Sequence, residues 1–258
     1  MVRIEPVIRI LLLCVAGYLT LLIGCALFQR KLIYIPTHHL ENSGLTEWKD
    51  AGQLIGYARQ VASPETIWLF LHGNAGQASD RTYVLPSFSS RDSVFILEYP
   101  GYGSRPGSPS MSVFNDAARR AFELLKAQFP HAAICVAAES IGCGPAAYLA
   151  SNPLPPDKIV LILPFDTLAA VAGRYYPFLP VKLLLRDNWD NVNALRGYKG
   201  QLELIAAKAD TIIPIIHAKT LADSIPAALF HTIEGDHNEW ADGGKVKIQY
   251  ARQAGNRQ

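Results

Sequence analysis

Short apolar runs recur along this chain, and stretches with helical spacing lie between them. Runs at 66–71, 93–97, 133–137, 158–163 and 201–207 show little polar alternation. A strand wetted on one face would alternate; a strand covered on both faces need not. Earlier and later strands are expected at 53–61 and 228–233, with helices at 78–88, 116–128 and 145–151. Regular exchange of buried strands with helices predicts an α/β fold, a doubly wound and mostly parallel sheet. In such sheets ligands bind at the carboxyl ends of the strands. His72-Gly73-Asn74, Ser140, Asp166, Asp210 and His237 all follow an expected strand, which puts them at one end of the sheet.

The stretch 167–200 breaks this rhythm. It carries Tyr175, Tyr176, Pro177, Phe178, Pro180 and Trp189, with a helix-like 181–185. It is long for a simple connection and reads either as a small cap over the site or as an ordinary helix with an elaborated loop.

With 258 residues, half of them hydrophobic and 18% charged, the chain can bury one large core. A net charge of +2, without basic runs interleaved with aromatics, gives no sign of a nucleic-acid partner. Cys14, Cys25, Cys135 and Cys143 have no metal-ligand or disulfide-framework spacing, and no metal or cofactor is expected. Cys135 and Cys143 are read as small buried residues.

From Ile10 to Phe28 there is no charged residue; Arg3 and Arg9 precede the run, and Arg30 and Lys31 follow it. A stretch of about 19 such residues just crosses a bilayer core. The same segment reads as an export signal, and Leu22-Ile23-Gly24-Cys25 is similar to a bacterial lipobox, which would make Cys25 a lipidation site. Residues 1–28 are therefore a membrane anchor or a lipoprotein signal, and 29–258 the folded domain. Either way the domain is tethered to a membrane, in a bacterial cell envelope. If the N-terminal arginines stay inside, it lies on the outer face of the inner membrane.

Chemistry enters at Ala138-Glu139-Ser140-Ile141-Gly142, between a strand and a helix. A serine on so sharp a turn is lifted clear of the sheet edge. Its hydroxyl needs a base, and the base needs a group to orient it. Asp210 and His237 follow in the chain order serine, acid, histidine, each just past a strand. Asp166 is the rival acid. Asp236 and Glu239 are too near His237 in sequence to orient it and read as surface charges, and Glu139 as facing away or making a local bond. The negative charge that develops on the attacked oxygen needs backbone N–H groups aimed at it. Those of Ile141 and Asn74 are the candidates, with Gly73 and Gly76 shaping the second loop. The turn 99–107 at the same sheet end reads as structural.

Leu71-His72-Gly73-Asn74-Ala75-Gly76, Tyr99-Pro100-Gly101-Tyr102-Gly103, Glu139-Ser140-Ile141-Gly142, Asp210-Thr211-Ile212-Ile213-Pro214 and Gly235-Asp236-His237-Asn238 together resemble the motif set of the α/β-hydrolase superfamily. His-Gly-Asn, with Lys31-Leu32-Ile33-Tyr34-Ile35-Pro36 after an apolar anchor, is similar to its Bem46-like branch. The resemblance implies Ser140, Asp210 and His237 as a triad and acyl hydrolysis without metal or cofactor. The substrate expected is a small acyl ester, thioester or acylated molecule. Two departures stand out: Ala138 replaces the elbow's first glycine, and Pro100 takes a place where the family often has arginine. The segment 40–50 is shorter than the usual first hairpin, which points to a missing early strand. Two other functions use the same residues: a serine peptidase, for which no large accessory region is read, and a non-catalytic membrane-tethered binding protein.

Overall fold

A computed structural model of the chain describes residues 4–39 and 43–251. Arg3 and residues 40–42 of the early segment lie outside them. The eight strands form one sheet in the order β1-β2-β4-β3-β5-β6-β7-β8. They are β1 (Thr46–Asp50), β2 (Gln53–Arg59), β3 (Thr66–Leu71), β4 (Ser93–Leu97), β5 (Ala133–Glu139), β6 (Lys158–Ile162), β7 (Gln201–Ala207) and β8 (Leu229–Ile233). β1 pairs antiparallel with β2, and β2 with β4; every later pairing is parallel. The expected doubly wound sheet is present. The early strand expected to be missing is present too: the short 46–50 segment is enough to pair with β2 as an edge hairpin, closed by a turn in which Ala51 and Gly52 have positive φ.

Alternate residues of β3 serve opposite faces. Ile67, Leu69 and Leu71 pack into the core on one side, and Trp68 and Phe70 into the core on the other. All six β3 residues are buried, which explains why the run shows no polar alternation.

Helix α2 (Met111–Gln128) covers the first face with Phe114, Ala118, Phe122 and Leu125. It starts earlier than the sequence periodicity predicts, because Ser110 caps it by accepting the Val113 N–H at 3.2 Å. The 78–88 segment is not an α-helix. It forms 3-10 turns over Ala78–Ser87, with Arg81 off helical geometry and Pro86 inside, and proline supplies no N–H for a longer ladder. Helix α3 (Cys143–Tyr148) follows the elbow.

Between β6 and β7 the segment 167–200 holds α4 (Leu168–Tyr175), α5 (Val181–Leu184) and α6 (Asn191–Leu195). Helix α7 (Ile215–Ser224) lies between β7 and β8.

The N-terminal apolar run is one helix, α1 (Ile4–Ile33), which continues unbroken through residue 28 into the domain. It is long and apolar enough to cross a membrane, and its apolar window is not buried in the protein.

The chain leaves β3 for β4 on one side and returns to β5 on the other. This reversal opens a crevice at the carboxyl ends of β3 and β5, where a doubly wound sheet binds its ligand.

Candidate active site

Ser140 follows β5 at that crevice. Its φ is +54°, in the left-handed region that costs a non-glycine residue about 1–3 kcal/mol. The surrounding close packing holds it there. A Cβ on Gly142 would lie 2.2 Å from the Leu71 carbonyl oxygen and 2.7 Å from that of His72, so strand and helix meet over a residue that must lack one. Gly144 faces the Trp189 ring in the same way, at 2.5 Å. Ala138, opposite Leu71 in the β3–β5 register, is fully buried, and its methyl group is accommodated where glycine is usual.

His237 Nε2 lies 3.0 Å from Ser140 Oγ, and His237 Nδ1 lies 2.8 Å from Asp210 Oδ2. The other Asp210 oxygen accepts the N–H groups of Ile212 (2.9 Å) and Ile213 (2.7 Å). A carboxylate so engaged is an acceptor, so the imidazole carries its proton on Nδ1 and leaves Nε2 free to accept from the serine. Asp210 and His237 are both buried, which strengthens each of these bonds. The structure thus brings together the three residues expected from the sequence. The rival acid, Asp166, is engaged elsewhere, 2.9 Å from His217 Nδ1.

Asp236 is not an idle surface charge. Its Oδ1 accepts from the N–H of Thr211 (3.2 Å) and of His237 itself (2.6 Å), tying the acid's loop to the histidine's loop. Those two backbone bonds hold its carboxyl below the usual range. Glu239 in turn accepts the Asp236 N–H. The signal was available in the sequence: Asp and Asn in such turns bond to nearby backbone.

Glu139 departs further from expectation. Its side chain is buried and acts as a hub, accepting from Gly73 N–H (3.0 Å), Tyr83 Oη (2.9 Å) and Trp240 Nε1 (2.8 Å). Burial, followed by the Glu139 charge, pushes the Tyr83 hydroxyl well above its ordinary range, so it remains a donor. Arg81 stands 3.7 Å from the same carboxylate and donates to the Gly73 and Asn74 carbonyls. The partners come from distant segments, so no local pattern could show them.

The Asn74 loop is therefore braced from below, and it is also held from the side. The Asn74 amide donates to the Ile33 carbonyl (2.5 Å), and its oxygen accepts from Ile35 N–H (2.9 Å) and Tyr102 Oη (2.8 Å). Tyr99 Oη donates to the His72 carbonyl. The turn after β4 is structural in this sense: its tyrosines hold the loop. Ala75 has φ +52°, a further sign of a tight turn. Ile141 follows Ser140 within the 3-10 turn Ser140–Gly142, in the first turn after β5, where an N–H has no partner inside the helix, and it lines the cavity beside Ser140.

A cavity of about 520 Å³ runs from Ser140, Ile141 and Asn74 between the 167–200 segment and α1. Its walls are largely aliphatic and aromatic, including Phe165, Val171, Tyr176 and Val181. Cys25 also lines it. Cys135 and Cys143 are buried, and burial raises both thiols, as inert core residues require. No cluster of three potential metal ligands occurs among the described residues.

An eight-stranded sheet with a positive-φ serine after β5, and a histidine and an acid after the last two strands, defines the α/β-hydrolase class. Comparisons with known proteins agree, and the chain belongs to the α/β-hydrolase superfamily. It is 31% identical over 241 residues to an uncharacterised protein of Mycobacterium tuberculosis, spanning 88% of this chain and 83% of that one. It is 28% identical to the lysophosphatidylserine lipase ABHD12 of Xenopus tropicalis, over 67% of this chain but only 51% of the relative. A Pyrococcus furiosus esterase shares the fold with a TM-score of 0.60 at 16% identity, over 79% of this chain and 91% of that one. No family model matches the chain.

Proposed function

We propose that this chain is a membrane-tethered serine hydrolase that cleaves carboxylic ester or thioester bonds. One observation carries the reading: the hydrogen-bonded line from Ser140 Oγ through His237 to Asp210, with separations of 3.0 and 2.8 Å. The likeness to a lipase and an esterase supports ester cleavage in the coarser sense.

Ser140 Oγ attacks the acyl carbon, forming a C–O bond, while its proton passes to His237 Nε2. Asp210 accepts the Nδ1–H and stabilises the imidazolium that results. The carbonyl oxygen becomes an oxyanion facing the N–H groups of Asn74 and Ile141. Collapse breaks the bond to the leaving oxygen or sulfur, which takes the proton from Nε2. Water then adds to the acyl-serine by the same route, releases the acid and returns the proton to Ser140. These steps call on no metal or cofactor.

Residues 29–258 form the hydrolase domain in this reading, with 167–200 as its cap, and α1 is the tether. A Bem46-like assignment, and a place on the outer face of a bacterial inner membrane, belong to the same proposal. The substrate is an acyl ester with an apolar chain, since the cavity beside Ser140 is apolar.

The test is a fluorophosphonate reaction followed by intact mass, with a chain-length series of p-nitrophenyl esters. One adduct at Ser140 and turnover are expected, and Ser140→Ala should lose both, with turnover falling about 10⁴-fold or more. A folded wild-type chain that neither labels nor turns over would leave a non-catalytic binding protein as the reading.

A further inference from the structure

Helix α1 does more than lead into the domain. Cys25, Gln29, Leu32 and Ile33 line the cavity that reaches Ser140. Their spacing places them on one helical face. That face is bonded to the cap: Gln29 Nε2 donates to the Leu184 carbonyl (3.1 Å), and Gln29 Oε1 accepts the Arg186 N–H (2.7 Å). Arg30 and Tyr34 both donate to the buried Asp187 carboxylate, at 2.9 and 3.0 Å. A tether alone would need no such contacts.

Depth along α1 supplies the second observation. Tyr18 Oη donates to the Phe178 carbonyl at 2.7 Å. Tyr18 lies midway along the uncharged run, about 15 Å of helix from Phe28 at roughly 1.5 Å per residue. Half of a bilayer core is also about 15 Å. With α1 spanning, the cap around Phe178 reaches down through one leaflet. Its apolar outward residues suit that place: Tyr176, Phe178 and Leu183 are 52%, 60% and 87% exposed, and the one exposed charge among them, Lys182, has a long stem that lets its ammonium reach back to the interface. The Phe178 carbonyl is met by the tyrosine hydroxyl, as a backbone group at membrane depth requires.

We propose that the cap segment 175–185 is embedded in the leaflet beside α1. The acyl chain then enters the Ser140 cavity laterally from the bilayer, along the α1 face formed by Cys25, Gln29 and Leu32. This rests on the hydrolase reading and adds that the anchor is a wall of the acyl pocket. Cleavage before Cys25 would remove Tyr18 and its bond to the cap, so the entrance requires an intact α1 and opposes the lipobox-like reading.

The test uses the full chain reconstituted in phosphatidylcholine vesicles. The native tryptophans, Trp48, Trp68, Trp189 and Trp240, are all buried. A Leu183→Trp variant therefore adds one exposed reporter, at a side chain that does not line the cavity. Lipids brominated in the acyl chain should quench this added fluorescence strongly. In parallel, Phe178→Asp/Leu183→Asp should lower the ratio of turnover on a vesicle-borne long-chain ester to turnover on p-nitrophenyl acetate at least tenfold. Rates are normalised to the Ser140 labelled by fluorophosphonate. An active chain whose added tryptophan is not quenched overturns the embedded cap. Quenching with an unchanged ratio overturns lateral entry. Failure of the wild-type chain to label or turn over overturns the hydrolase reading itself, whatever the quenching shows.

Discussion

Glu139 stands next to the nucleophile in the chain but acts on the loop opposite it. Its carboxylate accepts the Gly73 N–H, and Gly73 precedes Asn74, whose amide is the proposed oxyanion donor. It is a positioning residue. Replacing it with alanine leaves the Gly73 and Trp240 donors buried without an acceptor, at about 1–3 kcal/mol for each group left unsatisfied, while the Tyr83 hydroxyl, on a side chain 40% exposed, can turn to water. Glu139→Ala should therefore lower kcat tenfold or more with little change in KM, and Glu139→Gln, which keeps an acceptor oxygen, should recover much of the loss. Equal loss in both variants, or a change confined to KM, would mean that the carboxylate does not act through the loop. Asp236 allows a pH argument at the same scale. Its folded carboxyl is held below the ordinary range by the N–H groups of His237 and Thr211. Its stabilising effect is thus complete above the ordinary carboxylate range and disappears as pH falls through the lowered value. Thermal melts of wild type and Asp236→Asn should show the wild type losing more stability across that acid interval. Parallel pH profiles would contradict the assigned bonds.

At the scale of elements, α2 shows what periodicity can and cannot reveal. Its apolar face is legible from Ala117, Ala121, Leu124 and Leu125: three are buried, and Leu124 packs half-buried at the margin. Its start is not, because the first turn is set by the Ser110 cap rather than by another apolar residue. Ser110→Ala should cost about 1 kcal/mol, read as a lower midpoint in chemical denaturation at unchanged slope. The buried strands were legible for a plain reason: a strand covered on both faces has no solvent side to mark with polar residues. The edge strands differ. β1 is five residues of mixed character, held by pairing with β2. Composition alone hides such a strand, because its stability comes from a neighbour. The 3-10 turns over Ala78–Ser87 look like an α-helix in the sequence for the converse reason. Ala78, Val84 and Leu85 pack inward, but Arg81 and Pro86 interrupt the ladder.

Across the whole molecule, the positions of Ser140, Asp210 and His237 could be read from the sequence because the fold delivers strand ends to one edge. Their supports could not be, since Glu139, Tyr83 and Trp240 meet only through tertiary packing. The coupling of α1 to the site is of that second kind. The Ile33 carbonyl is bonded to the Asn74 side chain, and one turn earlier Arg30 reaches Asp187. Asp187 also holds the Tyr34 hydroxyl, and burial followed by the Asp187 charge raises that tyrosine far above its ordinary range. Asp187→Ala removes the acceptor shared by both donors. Arg30 is half exposed, so water replaces much of its ion pair. The buried Tyr34 hydroxyl has no such recourse, and its loss should cost about 1–3 kcal/mol. If α1 is part of the site, this damage travels along the last turn of the helix to Ile33 and Asn74. The variant in detergent should then lose kcat/KM toward p-nitrophenyl esters as well as stability, while Arg30→Ala, which leaves Tyr34 paired, loses less of both. A destabilised Asp187→Ala chain with wild-type kcat/KM would show instead that α1 and the Asn74 loop move independently.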